Sequence, residues 1–136
     1  MGLLFYSIAG DEFGEKIREK IEIEITEKRL EIFHSIETLA VRLQDPKDKP
    51  DVVVLHASSR EELSELVCLS ELLQDIRIVL ILPDHDSSTV ARGHKLRPRF
   101  ISDRENDCAE ITTILKRLLL QTTEREKTKN SIVQQN

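Results

Sequence analysis

Four side chains that could support nucleophilic or acid–base chemistry stand where apolar segments of the chain end: Ser7, His56, Ser102 and Asp103. A neutral imidazole can accept a phosphoryl group or bind a metal, and a serine beside a histidine can become a nucleophile. Such catalysis also needs a carboxylate that orients the histidine, and the spacing assigns neither Asp84 nor Asp103 to that role. We therefore predict that the protein is not an enzyme. The alternative is an enzyme or small-ligand-binding protein that uses a crevice around His56, where the apolar segments, if they are strands, would end: the strand-tip crevice.

Two other groups of residues have the side chains of a metal or redox site without its spacing. The run Asp84-His85-Asp86 follows an apolar segment and precedes two serines, which is typical of a turn followed by a helix cap. Cys68 and Cys108 lack C-x-x-C spacing and fall in segments of helical periodicity, so we expect buried or half-buried thiols. The sequence thus predicts no metal site and no cofactor.

A basic stretch lies within an otherwise acidic chain, whose formal net charge is −5. The acidic balance argues against general binding to nucleic acid, which requires cationic side chains to displace counterions from phosphates. The basic stretch could contact a partner, or it could be a solvated face balanced by Asp103, Glu105 and Asp107. We take it as the candidate partner surface, and it comprises Arg92, His94, Lys95, Arg97, Arg99 and Arg104.

Short apolar runs alternate with longer stretches of helical periodicity, and this alternation predicts the fold. The continuous run Val52 to Leu55 is typical of a parallel strand that is buried on both faces. Right-handed crossovers between parallel strands place helices on both faces of a sheet. We therefore predict an α/β, flavodoxin-like, doubly wound five-stranded parallel sheet of order 2-1-3-4-5. The predicted strands are Leu3 to Ile8, Leu30 to His34, Val52 to Leu55, Ile76 to Leu82 and Arg99 to Ser102.

Capping residues and apolar stripes predict the helices between these strands. The first stripe is Phe13, Ile17, Ile21 and Ile25, although its second half also alternates as a strand would. The others are a helix capped by Ser35, a helix from the Ser59 capping box through Leu73, a short helix from Ser88 to His94, and a last helix opened by Asp107 and Glu110.

At 136 residues the chain is long enough for one domain with a core of its own. We expect residues 1–121 to form it, and the polar residues 122–136 to be a helical or disordered extension that could contact a second copy or an effector. No apolar run reaches the roughly 20 residues that cross a bilayer, and the N-terminal one lacks a basic flank. We therefore expect a cytoplasmic protein.

The stretch Pro50-Asp51-Val52-Val53-Val54-Leu55-His56 resembles a segment of response-regulator receiver domains. In those domains Pro-Asp is followed by an apolar strand that ends in a phosphorylatable aspartate. The layout across about residues 2–121 is similar to that family as well, with an aliphatic fourth strand, a short fourth helix and a short fifth strand. Here His56 stands where the aspartate is expected.

The resemblance implies a set of residues for phosphorylation, and this sequence departs from it at each position. A receiver uses an acidic pair after strand 1 to hold Mg²⁺, a hydroxyl residue after strand 4 and a lysine after strand 5, because each neutralises or holds the phosphoryl group. The corresponding positions here are Ser7 and Ile8, Leu82 or Pro83, and Ser102 or Asp103. We keep open that Asp11 and Glu12 supply acids, although first-turn helix residues already have a dipole-based role.

These substitutions predict a degenerate member of the family, a pseudo-receiver, which is not phosphorylated on aspartate. The resemblance implies a signalling module that works through protein–protein interaction, since receivers commonly meet partners through helix 4, strand 5 and helix 5. The expected partner is a signalling protein of a two-component system or a second copy of the chain. Neither nucleic acid nor a membrane is expected as a partner.

Overall fold

The computed structural model describes residues 2–26, 29–103 and 109–120. Five strands form one sheet of order β2-β1-β3-β4-β5, and each neighbouring pair is parallel. This order confirms the predicted doubly wound, flavodoxin-like sheet. The strands are β1 (Gly2–Tyr6), β2 (Arg29–Phe33), β3 (Val52–His56), β4 (Arg77–Leu82) and β5 (Phe100–Asp103).

Helices connect the strands, and the first three of them each begin after a residue whose side chain caps the helix. Asp11 accepts a hydrogen bond from the Gly14 amide, Ser35 accepts one from Thr38, and Ser59 accepts one from Glu62. Each bond satisfies an amide that has no partner within its own helix. The helices are α1 (Glu12–Glu24), α2 (Ile36–Leu43), α3 (Arg60–Val67), α4 (Ser87–Gly93), which continues into a 3₁₀ turn at His94–Leu96, and α5 (109–120).

Both faces of the sheet are covered. One core cluster packs α2 and α3 against alternate strand residues such as Val53 and Leu55, and the other packs α1 and α5 against their neighbours Val52 and Val54. All four valine and leucine residues are fully buried, because β3 lies at the centre of the sheet with helices on either side. This explains why its sequence is continuously apolar rather than alternating.

Three local predictions were wrong. The third helix ends at Val67 instead of Leu73, and a series of turns follows, in which the Leu69 amide bonds to the Leu66 carbonyl and Asp75 has a φ of 67°. Leu73 is still buried, so its apolar periodicity reflects packing rather than continued helix. The first strand ends at Tyr6 instead of Ile8, before the turn at Ala9 and Gly10. Cys68 is exposed at the end of α3.

Some of the predicted features fall on residues outside the described ranges. Arg104, the Asp107 capping box, Cys108 and the extension 122–136 lie outside the described residues. Among the helices of the described ranges, none is long and apolar enough to cross a membrane.

Candidate functional site

Ser7 and His56 meet at the carboxyl edge of the sheet. Ser7 directly follows β1 and His56 ends β3, and these two strands are neighbours. The Ser7 hydroxyl lies 3.1 Å from Nδ1 of His56, within hydrogen-bonding distance. The two residues are 3% and 0% exposed, respectively. The strand tips where this fold class usually binds ligands therefore hold a buried serine–histidine contact.

The first turn of α1 packs against the Ser7–His56 contact and covers it. A Cβ atom placed on Gly14 would lie 1.9 Å from the Ser7 hydroxyl oxygen and 3.3 Å from Nδ1 of His56, so only a glycine fits there. The Phe13 ring stands at a tilt beside the imidazole, with 5.4 Å between ring centroids. Asp11 fixes this turn by capping α1 through the Gly14 amide. The helix start therefore packs directly on the two side chains.

The backbone of Ser7 is held from the other side by β2 and the residue after it. Its amide donates to the carbonyl of Phe33 at 3.1 Å, and its carbonyl lies 3.0 Å from Nδ1 of His34. These contacts continue the β1–β2 ladder by one residue past the end of the strands. Ser7 is therefore fixed on both sides.

Ser102 and Asp103 lie farther along the same edge. His56 is in register with Ile81 on β4, and Ile81 with Ser102 on β5, so a fully buried isoleucine stands between the two polar residues. Two strand spacings put their backbones roughly 10 Å apart. Asp103 is in register with Leu82, one residue beyond. The structure thus brings Ser7 and His56 together, and it keeps Ser102 and Asp103 apart from them.

Apart from the partly buried Asp103, the positions that the resemblance assigns to the phosphorylation set are apolar or buried. Leu82 is 1% exposed, and Ile8 is a half-exposed aliphatic residue where the resemblance implies an acid. Within the described residues, no group of three His, Cys, Asp or Glu side chains is arranged to hold a metal ion. What the Ser7–His56 contact does here is join β1, β3 and α1.

The Asp84-His85-Asp86 run forms an ion-pair clasp with α3. The Arg60 guanidinium donates to Asp84 at 2.9 Å and also contacts Asp86, whose own amide donates to Asp84 at 3.0 Å. The hydrogen bond from the Arg60 guanidinium lowers the pKa of Asp84 to about 2. The run therefore forms the predicted turn before α4, and its carboxylates are paired with an arginine.

A buried polar cluster at the start of α3 was missed by the sequence analysis. The Ser58 hydroxyl donates to the Glu62 carboxylate at 2.6 Å, and Glu62 is 7% exposed. Burial and the nearby Glu62 carboxylate raise the pKa of the Tyr6 hydroxyl well above its ordinary value. The cluster was missed because Tyr6 lies within an apolar run and was predicted only as a core residue. The sequence assigned Glu62 only the role of completing the capping box with Ser59.

The basic stretch is divided between two places. Arg92 on α4 donates to the Ser64 hydroxyl of α3 at 2.6 Å. Lys95, Arg97 and Arg99 instead line a cleft of about 580 Å³ at the amino-terminal edge of the sheet, opposite the edge that carries Ser7 and His56. His94 is exposed at the start of the 3₁₀ turn between them.

No protein-family model matches this sequence, and no curated protein matches it. Several solved structures are similar to it. A putative pilus assembly-related protein of Burkholderia pseudomallei is 19% identical, with a TM-score of 0.65 over 88% of this chain and 89% of that one. The phosphorylated cyanobacterial phytochrome response regulator RcpA is 14% identical, with a TM-score of 0.58 over 85% and 89%. The signal receiver domain of a modulated diguanylate cyclase from Desulfovibrio desulfuricans is 14% identical, with a TM-score of 0.57 over 94% and 97%.

These similarities span nearly the whole of both chains, and they show the fold. The chain has the five-stranded fold of response-regulator receiver domains, as the Pro50 to His56 segment implied.

Proposed function

We propose that this chain is a receiver-like signalling module that acts in the cytoplasm by binding a protein partner and is not phosphorylated at its strand tips. The observation that carries this proposal is the closed contact between Ser7 and His56, covered by Gly14 of α1. This contact supports the proposal because phosphorylation of a receiver needs an open pocket with a metal and a nucleophilic carboxylate.

A phosphodonor would have to reach His56 through α1. The imidazole is 0% exposed, and the Gly14 backbone lies against the Ser7 hydroxyl. A transferred phosphoryl group adds between one and two negative charges and three acceptor oxygens, and burying that charge would strongly destabilise the folded protein. The same closure speaks against a hydrolase that uses Ser7 and His56, because its substrate would meet the same barrier.

Partner binding is the way in which we propose that this fold transmits a signal. The surface that we propose for it is the one built by α4, β5 and α5, where Arg92 and His94 are exposed. The exposed Arg92 carries a positive charge on a chain of net charge −5, which favours an acidic partner surface, since complementary charge steers association. The partner is a signalling protein or a second copy of the chain.

The test of the proposed function is incubation of the protein with Mg²⁺ and acetyl phosphate, followed by intact mass measurement. We expect the mass to stay unchanged while an ordinary receiver domain, treated in parallel, gains a phosphoryl group. A stable phosphoryl adduct on this chain would overturn the proposal. Peptide mapping would then assign the adduct to His56 or to another residue.

A further inference from the structure

The cleft at the amino-terminal edge of the sheet lies far from the strand tips. One wall is the turn segment that leads into β4, with Asp75 and Arg77, and the other is the connection between α4 and β5, with Lys95, Arg97 and Arg99. Because all strands are parallel, this edge is opposite to the one that carries Ser7 and His56. A function of this cleft is therefore independent of the closed site.

Positive charge is concentrated in this cleft. Among the described residues, four cationic side chains line it against one acid, Asp75, which gives these residues a formal excess of three positive charges. None of the ion pairs or side-chain hydrogen bonds found among the described residues involves Lys95, Arg97 or Arg99. Arg77 differs, since its guanidinium donates to the carbonyl of Leu118 at 2.7 Å and so forms part of the framework.

The backbone that carries two of these cations is fixed. The Arg97 amide donates to the carbonyl of His94 at 3.0 Å and Arg97 has a φ of 53°, while the Arg99 amide donates to the carbonyl of Ile78 at 2.8 Å. Like charges that are held near one another repel, and the repulsion is relieved when an anion binds between them. The cleft is therefore arranged to gain stability from an anionic ligand.

We propose that this cleft binds a small molecule that carries two or more phosphate groups. Its volume of about 580 Å³ lies within the range of small-molecule sites, about 300 to 1,000 Å³, whereas a protein partner needs a broad surface of roughly 800 Å². Arginine guanidinium groups bind phosphate through paired hydrogen bonds, and a lysine adds a point charge.

The cleft offers little apolar surface to a ligand, which favours a ligand that is mainly charged. Leu73, Ile76 and Leu96 line it, but each exposes less than a tenth of its surface. A bound molecule would contact chiefly polar and cationic groups. Phosphate groups match that lining better than an apolar body does.

The experiment is calorimetric titration of the whole chain with inorganic pyrophosphate at constant ionic strength, without divalent cations. We expect saturable binding at one site and a rise in melting temperature with pyrophosphate concentration. In the double variant Lys95→Gln/Arg99→Gln the affinity should fall by about tenfold or more, since two charged hydrogen bonds are lost. The charge-matched variant Lys16→Gln/Lys49→Gln, which changes exposed residues outside the cleft, should bind like the unmodified protein.

Three results would overturn the proposal. One is the absence of saturable pyrophosphate binding, and another is equal affinity in the two double variants. The third is tighter binding of a hexaglutamate peptide than of pyrophosphate, which would assign the cleft to an acidic protein segment. Misfolding does not confuse the comparison, because melting of the ligand-free Lys95→Gln/Arg99→Gln protein is recorded first and should be unchanged or slightly raised.

Discussion

The Ser7 hydroxyl and Nδ1 of His56 lie 3.1 Å apart inside the protein, at the point where a receiver fold ordinarily keeps an open acidic pocket. The contact links β1 to β3, and the Gly14 backbone of α1 rests on it. A hydrogen bond of this kind contributes about 1 kcal/mol net, but breaking it inside the core costs more, because a polar group loses its partner. The Ser7–His56 part of this edge of the sheet is thus in the packed interior.

Replacement of Gly14 by alanine should destabilise the fold. Alanine normally stabilises a helix interior by up to about 1 kcal/mol relative to glycine, so propensity alone predicts a gain. The new Cβ would lie 1.9 Å from the Ser7 hydroxyl oxygen, and such overpacking costs about 1 to 3 kcal/mol or more. We expect the clash to exceed the propensity gain, as measured by urea unfolding of Gly14→Ala.

A second substitution shows whether the loss comes from that contact. Ser7→Gly removes both atoms that the new Cβ would meet most closely. The double variant Ser7→Gly/Gly14→Ala should therefore lose less stability than the sum of the two single variants. Additive losses would mean that α1 does not rest on Ser7.

The Tyr6 hydroxyl should make the fold sensitive to alkaline pH. Burial and the Glu62 carboxylate raise its pKa in the folded protein above the unfolded value near 10. The folded state then holds this proton more tightly, so the stabilisation is complete below the unfolded pKa and is lost as the pH rises above it. Urea unfolding at pH 8 and pH 10.5 should show a loss that Tyr6→Phe reduces. An identical loss in Tyr6→Phe would contradict this assignment.

The ion-pair clasp of Arg60 with Asp84 should lose its stabilising effect at acidic pH. The Arg60 guanidinium lowers the pKa of Asp84 to about 2, below its unfolded value near 3.9. Its contribution is present above the unfolded pKa and is lost as the pH falls from about 4 towards 2. Asp84→Asn should therefore be less stable than the unmodified protein at pH 6, and the difference should shrink at pH 2.5. Arg60→Gln should behave in the same way, and a difference that is constant with pH would exclude this role.

The strands and their order could be predicted because periodicity reports burial directly. Val52 to Leu55 is continuously apolar since both sides of β3 are covered, and parallel crossovers limit the sheet to a few doubly wound orders, of which 2-1-3-4-5 is one. Helix ends were less predictable. Leu73 is buried like a helix residue although α3 ends at Val67, because turns can bury the same side chains.

The closure of the candidate site could not be predicted from residue types. Ser7 and His56 were singled out as polar residues at strand ends, but only the structure shows that Gly14 covers them, since helix docking depends on tertiary packing. The cleft presents the same difficulty. Arg77 is the first residue of β4, distant in sequence from Lys95 and Arg99, and only the fold brings it to the cleft. Arg92 is close to them in sequence but contacts Ser64 of α3 outside the cleft.

The most direct test of the central claim is phosphorylation of a variant that restores the missing carboxylate. If the whole apparatus has been lost, His56→Asp should remain unmodified after incubation with Mg²⁺ and acetyl phosphate, because Ser7 and Ile8 supply no carboxylate, Asp11 caps α1 and Gly14 covers the site. Circular dichroism of His56→Asp and of His56→Asn would establish that the variants are folded. We predict that the intact masses of the unmodified protein and of His56→Asp stay unchanged. A phosphoryl adduct at position 56 in either protein would contradict the account.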